Sequence, residues 1–319
     1  MEKQGLREVE HNITVSAPAE HVYRLVAEVE HWPRIFPPTV HADYAERSGQ
    51  QERIEIWATA NDAVKNWTSR RVLDPRDLRI EFRQEVSAPP VASMGGTWLM
   101  EPVSAAECRV RLLHDYRAID DDPDSLLWID QAVDGNSRSE LAALKANAEL
   151  DDGSPEGRLF SFADTVRIDG SAQDAYDFLN EAQLWEERVP HVTRVDLQEN
   201  TPGLQILEMD TRAIDGTTHT TKSVRVCFPH SKIVYKQVTL PPLMSLHNGC
   251  WSLAEDGDGV LVTSEHTVVI NTANIEKVLG AAAGVPEARE FVQKALSANS
   301  QATLGHAREH AEAQYTGAR

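Results

Sequence analysis

The alternation of apolar and polar positions singles out residues 66–73, NWTSRRVL, as a strand of unusual character. Side chains of an extended segment alternate between two faces, so Trp67, Ser69 and Arg71 share one face. The buried face of a strand normally carries aliphatic side chains. An indole, a hydroxyl and a guanidinium on one face suit a half-apolar pocket that holds an oxygenated ligand. We therefore take this segment as the centre of a candidate site.

Period-two alternation recurs around this segment, and helical periods lie on either side of the strands. The helix before the strands has its apolar positions at i, i+3, i+4 and i+7: Val22, Leu25, Val26 and Val29. Pro33 and Pro37 predict a broken segment after it. The other predicted strands lie at 53–59, 78–82, 97–102 and 108–116, with a turn at 74–77, DPRD. A helical period over 123–150 predicts a long closing helix.

The same pattern starts again after residues 151–157, DDGSPEG, whose composition is typical of a linker. The later copies follow the earlier residues by about 153 positions: Trp185 for Trp32, Ser223 for Ser69, Arg225 for Arg71, Trp251 for Trp98 and His266 for His114. A period this long indicates a duplicated domain. We predict domains at 1–150 and 158–319, each an α+β unit with a curved antiparallel sheet, a long terminal helix and a cavity between them.

Charge and cysteine usage narrow the possible functions. The formal net charge of −19 argues against a nucleic-acid or anionic-membrane partner, because both carry negative charge. The three cysteines are far apart and lack metal-binding spacing, so we expect no metal site and a reducing cytoplasmic location. Residues 1–12 lack the apolar core of a signal peptide, and no apolar run reaches membrane-spanning length. Phosphate-binding and hydrolase motifs are also missing, so we expect no cofactor.

The duplicated pattern resembles the polyketide cyclases of the helix-grip, START-like fold. The residues that carry the resemblance are the Trp32-Pro33 turn, the W-x-S-x-R pattern at 67–71, Gly96-x-Trp98 and the long last helix. Two fused copies resemble the didomain aromatase/cyclases of bacterial type II polyketide synthases. The resemblance implies an enzyme that receives a poly-β-ketone, one carbonyl of which has been reduced, on an acyl carrier protein. It would close the first ring by an aldol reaction and eliminate water to aromatise it.

The resemblance also implies roles for single residues. Arg71 matches the family's pocket arginine, Ser69 its neighbouring hydroxyl, and His114 a strand histidine that some members carry. These three are the candidate catalytic residues, because a buried guanidinium can stabilise an oxyanion and a histidine can move a proton. The candidate substrate-binding residues are Trp32, Phe36, Trp67, Trp98 and Tyr116. The second copy keeps Trp185, Ser223, Arg225, Trp251 and His266, but Thr221 stands where the first copy has Trp67.

Each residue has a simpler structural interpretation. Arg71 could form a structural ion pair with an acidic neighbour. His114 could be a hydrogen-bonded core histidine, and the tryptophans could belong to the core, as most tryptophans do. The fold also hosts proteins that carry a hydrophobic ligand without chemistry, and a scaffold whose pockets are filled by side chains is a third interpretation. A polar pocket face, with Ser69, Arg71 and His114 together, favours the enzyme.

Overall fold

Two compact units make up the chain, residues 1–150 and 151–319, in a computed structural model that describes residues 5–60, 63–150, 157–212 and 216–317. We describe each unit by itself. The predicted linker at 151–157 lies outside the described residues except for Gly157.

In its described residues, 5–60 and 63–150, the N-terminal unit contains seven strands and three α-helices. The strands are β1 (Arg7–Val15), β2 (Thr39–Ser48), β3 (Gln51–Ala60), β4 (Ala63–Asp74), β5 (Arg79–Gln84), β6 (Val91–Ser104) and β7 (Glu107–Ala118). The helices are α1 (Ala19–Ala27), α2 (Trp32–Ile35) and the long α3 (Pro123–Ala148). The Asp122 carboxylate accepts a hydrogen bond from the Ser125 amide at 2.8 Å and so caps α3, with Pro123 in its first turn.

The C-terminal unit repeats this order. Its strands are β8 (Leu159–Ile168), β9 (Val192–Thr201), β10 (Leu204–Arg212), β11 (Thr218–Phe228), β12 (Lys232–Thr239), β13 (Met244–Asp256) and β14 (Gly259–Ile270). Its helices are α4 (Ala172–Asn180), α5 (Trp185–Arg188), the short α6 (Ile275–Leu279) and the long α7 (Val285–Gly317). The α6 segment follows β14, where the N-terminal unit passes from β7 to α3 through a single 3-10 turn.

Each unit holds one antiparallel sheet of seven strands, in the orders β1-β7-β6-β5-β4-β3-β2 and β8-β14-β13-β12-β11-β10-β9. The long helix of each unit packs against the sheet: α3 contacts β1 and β7, and α7 contacts β8 and β14. The predicted fold, two tandem α+β helix-grip units, is therefore confirmed.

The cores follow the predicted periodicity. Val22, Leu25 and Val26 of α1 are buried against Leu141 and Leu144 of α3 and against the inward side chains of β5, β6 and β7. Burial of these aliphatic faces is the main free-energy term that holds helix to sheet. The clusters leave the polar side chains of Ser69 and Arg71 on β4 buried, and His114 on β7 half-buried.

The structure differs from the prediction at three places. Edge strands β1 and β2 were not predicted, because their sequences are highly charged and carry few apolar residues. Leu78, which the alternation placed in a strand, belongs to the turn before β5, where its φ is +48°. Turn geometry overrides the apolar pattern there, although the Leu78 side chain is still buried.

Candidate functional site

Arg71 lies on β4 and is 2% exposed. Its Nη1 donates to the Val26 carbonyl at 2.8 Å and its Nη2 to the Ala27 carbonyl at 2.6 Å. These carbonyls belong to the last turn of α1, where free acceptors and the helix dipole favour a cation. The guanidinium carbon is 5.4 Å from the centre of the Trp32 ring. Arg71 thus anchors the end of α1 to the sheet.

The same guanidinium forms an ion pair with Glu52. Arg71 Nη2 lies 2.5 Å from Glu52 Oε2, and both side chains are about 1% exposed. The two residues are directly opposite each other on β3 and β4. The structural ion pair that the sequence left open is therefore present, and it offsets the charge of Arg71. One nitrogen of the guanidinium makes no hydrogen bond, since Arg71 Nε is buried without a partner among the described residues. The catalytic role of Arg71 stays a prediction.

Ser69 and His114 are the other two candidate catalytic residues, and His114 is only half-buried. Ser69 is buried and its hydroxyl donates to the Arg83 carbonyl at 3.0 Å, which leaves its oxygen able to accept. His114 packs edge-on to Phe82, with ring centres 5.6 Å apart, and its Nδ1 is 3.4 Å from the Ser137 hydroxyl. Burial lowers the pKa of His114 to about 4, so the ring is neutral at pH 7. It can exchange hydrogen bonds there but is a weak base.

Glu140 is a titratable group that sequence reasoning missed. It follows Ser137 by three residues on α3 and precedes Leu144 by four, so it shares the helix face that points to the sheet. Part of the side chain is accessible to water, yet the surrounding protein atoms displace most of the solvent around the carboxyl. Burial raises its pKa to about 7. The carboxyl therefore exists in both protonation states near neutral pH, as an acid–base group requires.

The predicted aromatic wall forms part of the core. Phe36 contacts both Trp32 and Trp98, with ring centres 5.5 and 6.3 Å apart. Phe36 and Trp98 are buried in the cluster under α1, and Trp32 packs against it. Trp67 packs against a second cluster that includes Ile54 and Ile56. Whether these rings also contact a substrate stays a prediction.

Tyr116 lies in a third cluster, apart from Arg71. Its ring is fully buried among Ala118, Ile129 and Val133, and its hydroxyl donates to Asp130 Oδ1 at 2.5 Å. Burial is the main cause that raises its pKa. The structure thus places Tyr116 as a core residue that joins β7 to α3, because its ring and its hydroxyl are both occupied by the protein.

The C-terminal unit places Arg225 as the first unit places Arg71. Its Nη2 donates to the Leu179 carbonyl at the end of α4 at 2.6 Å, and its guanidinium carbon is 5.6 Å from the centre of the Trp185 ring. Trp185 Nε1 donates to the Phe178 carbonyl at 3.0 Å. Ser223 and Trp251 are buried near it in the sheet. Gln205 takes the position opposite Arg225 that Glu52 takes opposite Arg71.

His266 is the centre of a hydrogen-bonded network in the C-terminal unit. His266 Nε2 is 2.8 Å from the Ser300 hydroxyl of α7 and 3.1 Å from the Ser264 hydroxyl. His266 Nδ1 is 2.9 Å from His247 Nε2 and 3.4 Å from the Tyr235 hydroxyl. Burial lowers the pKa of His247 to about 3 and that of His266 to about 4, so both rings are neutral at pH 7.

Sequence reasoning found His266 but not the rest of this network. Val262, Ser264 and His266 are two residues apart and therefore lie on one strand face, so the inward position of Ser264 could have been inferred from the sequence. His247 and Tyr235 gave a weaker signal, because their counterparts in the first copy are the apolar residues Met94 and Phe82.

Features outside these interiors are few. A cleft of about 400 Å³ opens at the surface between β1 and α3, and its lining residues include His11, Arg138 and Leu141 but no candidate site residue among those described. Within the described ranges, no group of three or more metal-binding side chains could hold an ion. None of the helices in the described part of the chain is long and apolar enough to cross a membrane.

Comparison with known proteins relates both units to one family. The family described as "Polyketide cyclase / dehydrase and lipid transport" matches residues 7–149 and again 160–312. The granaticin polyketide synthase bifunctional cyclase/dehydratase of Streptomyces virginiae is 52% identical over 297 residues, which is 93% of this chain and 97% of that protein. The actinorhodin polyketide synthase bifunctional cyclase/dehydratase of Streptomyces coelicolor is 45% identical over 96% of this chain and 98% of that protein.

Solved structures show the same relationship. The di-domain ARO/CYC BexL from the BE-7585A biosynthetic pathway is 67% identical, with a TM-score of 0.92 over 96% of this chain and 99% of that one. The di-domain ARO/CYC StfQ from the steffimycin biosynthetic pathway is 33% identical, with a TM-score of 0.88 over 97% of this chain and 99% of that one. The chain therefore belongs to the polyketide cyclase/dehydrase family, as a protein with two copies of the family's domain.

Proposed function

We propose that the protein is a polyketide aromatase/cyclase, which closes the first ring of a poly-β-ketone and removes water to aromatise it. The observation that carries the proposal is the match to bifunctional cyclase/dehydratases over more than nine-tenths of the chain. The buried polar groups of both units are consistent with it. A protein that only carries an apolar ligand has no evident use for a carboxyl and an arginine among these interior residues.

The substrate in this proposal is a poly-β-ketone bound as a thioester to an acyl carrier protein, with one carbonyl reduced to a hydroxyl beforehand. The hydroxyl at that position leaves as water when the ring aromatises, as does the hydroxyl that forms in the aldol step. The partners are the carrier and the other components of a type II polyketide synthase, and the reaction takes place in the cytoplasm.

The ring closure and the dehydration each need two proton movements. A base removes a proton from the carbon between two carbonyls, and the resulting enolate carbon attacks a ketone carbon to form the new C–C bond. The ketone oxygen becomes an alkoxide and takes up a proton. In the dehydration, a neighbouring C–H and the C–O bond break, a C=C bond forms, and the hydroxyl leaves as water after it accepts a proton.

The N-terminal unit offers a group for each step. The Glu140 carboxylate takes the carbon-bound proton and returns it to the leaving hydroxyl. The free Nε–H of Arg71 donates to the oxygen that becomes anionic, and the Ser69 oxygen accepts from an enol. His114, neutral at pH 7, holds a substrate oxygen by its ring N–H. The aromatic residues Trp32, Phe36, Trp67 and Trp98 restrict the flexible chain to folded conformers.

Reconstitution tests the proposal. A minimal synthase with its ketoreductase is incubated with wild-type protein and, separately, with Arg71→Ala, Glu140→Gln or Arg225→Ala. Arg109→Ala, an exposed arginine on β7, is the matched control. Wild type and the control should give a product with an aromatised first ring, whereas Glu140→Gln should return the spontaneous products that form without the protein. If the wild-type protein leaves the product profile unchanged, the ligand carrier becomes the better interpretation.

A further inference from the structure

At four equivalent interior positions the C-terminal unit carries the more polar or the less acidic residue. Going from the N-terminal to the C-terminal unit, they change from Glu52 to Gln205, from Phe82 to Tyr235, from Met94 to His247 and from Leu112 to Ser264. The first change removes a carboxylate from beside an arginine, and the other three replace apolar side chains by hydrogen-bonding ones. At these four positions the C-terminal unit therefore has more hydrogen-bonding groups and less negative charge than the N-terminal unit.

Arg225 is a buried cation without a counter-ion. It is 2% exposed, forms no ion pair with any described residue, and its Nη1 has no hydrogen-bond partner among them. The Gln205 amide donates instead to Glu199 Oε2 at 2.8 Å. The ionisable groups that act on the guanidinium are Cys227, Tyr176, Tyr235 and Glu199, of which Glu199 alone is a carboxylate among the described residues. A buried charge left without its partner is costly, so this position is suited to an anion that binds from outside.

Tyr235 stands next to this guanidinium. Arg225 and Tyr235 are directly opposite each other on β11 and β12, so their side chains lie side by side on the inward face. Gly249 makes room for the ring, because a Cβ at that position would overlap Tyr235 Cζ and Oη. The Gly-x-Trp pattern at 249–251 therefore has a physical reason in this unit: the glycine lets the phenol lie across β13.

The hydrogen bonds of the histidine network do not use the hydroxyl hydrogen of Tyr235. The Gln237 Oε1 accepts from His247 Nδ1 at 2.8 Å, so His247 Nε2 carries the lone pair and accepts from His266 Nδ1–H. His266 Nε2 in turn accepts from the Ser300 hydroxyl. With its proton on Nδ1, His266 cannot accept from Tyr235. The Tyr235 oxygen faces this N–H at 3.4 Å, and its own O–H can be donated to a ligand.

We propose that Arg225 and Tyr235 form a binding site for an anionic enolate or phenolate oxygen in the C-terminal unit. Arg225 Nη1 supplies the charge and Tyr235 a second donor, as in an oxyanion hole. His266 and His247 are positioning residues that orient the phenol. The chemical class of the ligand rests on the proposed function, because a ring that has closed and begun to aromatise carries enol and phenol oxygens. The N-terminal unit lacks this pair of donors, since Glu52 binds Arg71 Nη2 and Phe82 has no hydroxyl, so that only Arg71 Nε is left for a substrate oxygen.

The test uses the full-length protein and 4-nitro-1-naphthol, a two-ring phenol whose visible absorption reports its ionisation. A bound phenolate beside a cation should ionise at a pH at least about one unit below that of the free dye. Gln205→Glu rebuilds the carboxylate that neutralises Arg71 in the other unit, and it should remove most of this shift. Tyr235→Phe should weaken phenolate binding about tenfold, because a hydrogen bond to a charged oxygen is lost. Gln198→Glu, at an exposed position on β9, adds the same charge on the protein surface, and its dye titration should match that of wild type.

Absence of dye binding, an unshifted titration, or identical titrations for Gln205→Glu and Gln198→Glu overturns the proposal. Circular dichroism checks that Gln205→Glu is folded. If it is not, the dye affinity of Tyr235→Phe tests the proposal instead, and an unchanged affinity overturns it. The dye titration needs no synthase. If the wild-type protein fails to change the polyketide products but the dye titrates as expected, the proposed function fails while the oxygen-binding site stands.

Discussion

Glu52 and Arg71 face each other across β3 and β4 as a fully buried ion pair, with 2.5 Å between Glu52 Oε2 and Arg71 Nη2. At the same positions of the C-terminal unit, Gln205 faces Arg225. Both units therefore have the arginine, but only the N-terminal unit has a carboxylate opposite it. A buried ion pair contributes to positioning more than to stability, whereas a lone buried cation is available to a ligand.

Removing the carboxylate from this pair should destabilise the N-terminal unit. In Glu52→Gln, Arg71 keeps its two backbone acceptors but loses its counter-ion, and we expect the free energy of unfolding to fall by about 3 kcal/mol. Urea unfolding at pH 7 measures the change. Glu81→Gln on β5, whose pair with Arg79 is exposed, should change it by less than about 0.5 kcal/mol. Equal effects of the two variants would show that the buried pair does not support the fold.

The space beside Tyr235 should be intolerant of a methyl group. In Gly249→Ala, the new Cβ overlaps the phenol, so the ring must move, and we expect a loss of about 1–3 kcal/mol of stability. Gly305→Ala in α7 is the control, because a Cβ there meets no atom within 4 Å and alanine is the better helix former. It should stabilise the protein by about 0.5–1 kcal/mol. Thermal unfolding of both variants measures these changes. If Gly249→Ala is as stable as wild type, the close contact between residue 249 and the Tyr235 ring is contradicted.

Acid should destabilise the C-terminal unit through its histidine pair. Burial lowers the pKa of His247 to about 3 and that of His266 to about 4, whereas an unfolded histidine titrates near 6.5. Below pH 6.5 the unfolded chain binds protons that the folded chain does not, so stability falls as the pH falls towards 4. His247→Met, which installs the residue of the first copy, should reduce this slope by about 1.4 kcal/mol per pH unit.

Denaturant unfolding at several pH values between 4 and 7 measures the slope. His31→Gln is the control, because the His31 side chain is 36% exposed and lies outside the network. An unchanged slope in His247→Met would mean that the buried pair takes up protons without loss of the fold.

The duplicated fold was predictable because each copy repeats the same alternation, so the inward positions of Ser69, Arg71 and His114 could be inferred from period alone. The partner of Arg71 could not. Glu52 meets Arg71 through the register of β3 against β4, and that register depends on the turn and on packing across the whole sheet. The difference between Glu52 and Gln205 was visible once the copies were aligned, but its meaning required the geometry.

Glu140 was missed for a different reason. A single glutamate on a long, charged helix is normally a solvated residue. Only the packing of α3 against the sheet shows that this carboxyl is surrounded by protein atoms. For Tyr116 the strand alternation correctly placed the side chain inward, but not its partners, since the contact of its hydroxyl with Asp130 depends on how α3 packs against β7.

Glu140 should make stability depend on pH between about 4.5 and 7, and activity depend on pH around 7. Its pKa is raised by burial to about 7, and that of an unfolded glutamate is 4.5. Between these values the folded chain holds a proton that the unfolded chain has released, so its contribution to stability is lost as the pH rises through this window. Relative to wild type, Glu140→Gln should therefore gain about 2–3 kcal/mol between pH 4.5 and pH 8. Denaturant unfolding measures this gain, and Glu46→Gln, an exposed carboxylate on β2, should show none.

The rate of ring formation should rise through pH 7 in wild type, because the Glu140 carboxylate is the base, and Glu140→Gln should lose both the rate and that rise. A variant that keeps the rise would assign the base to another group.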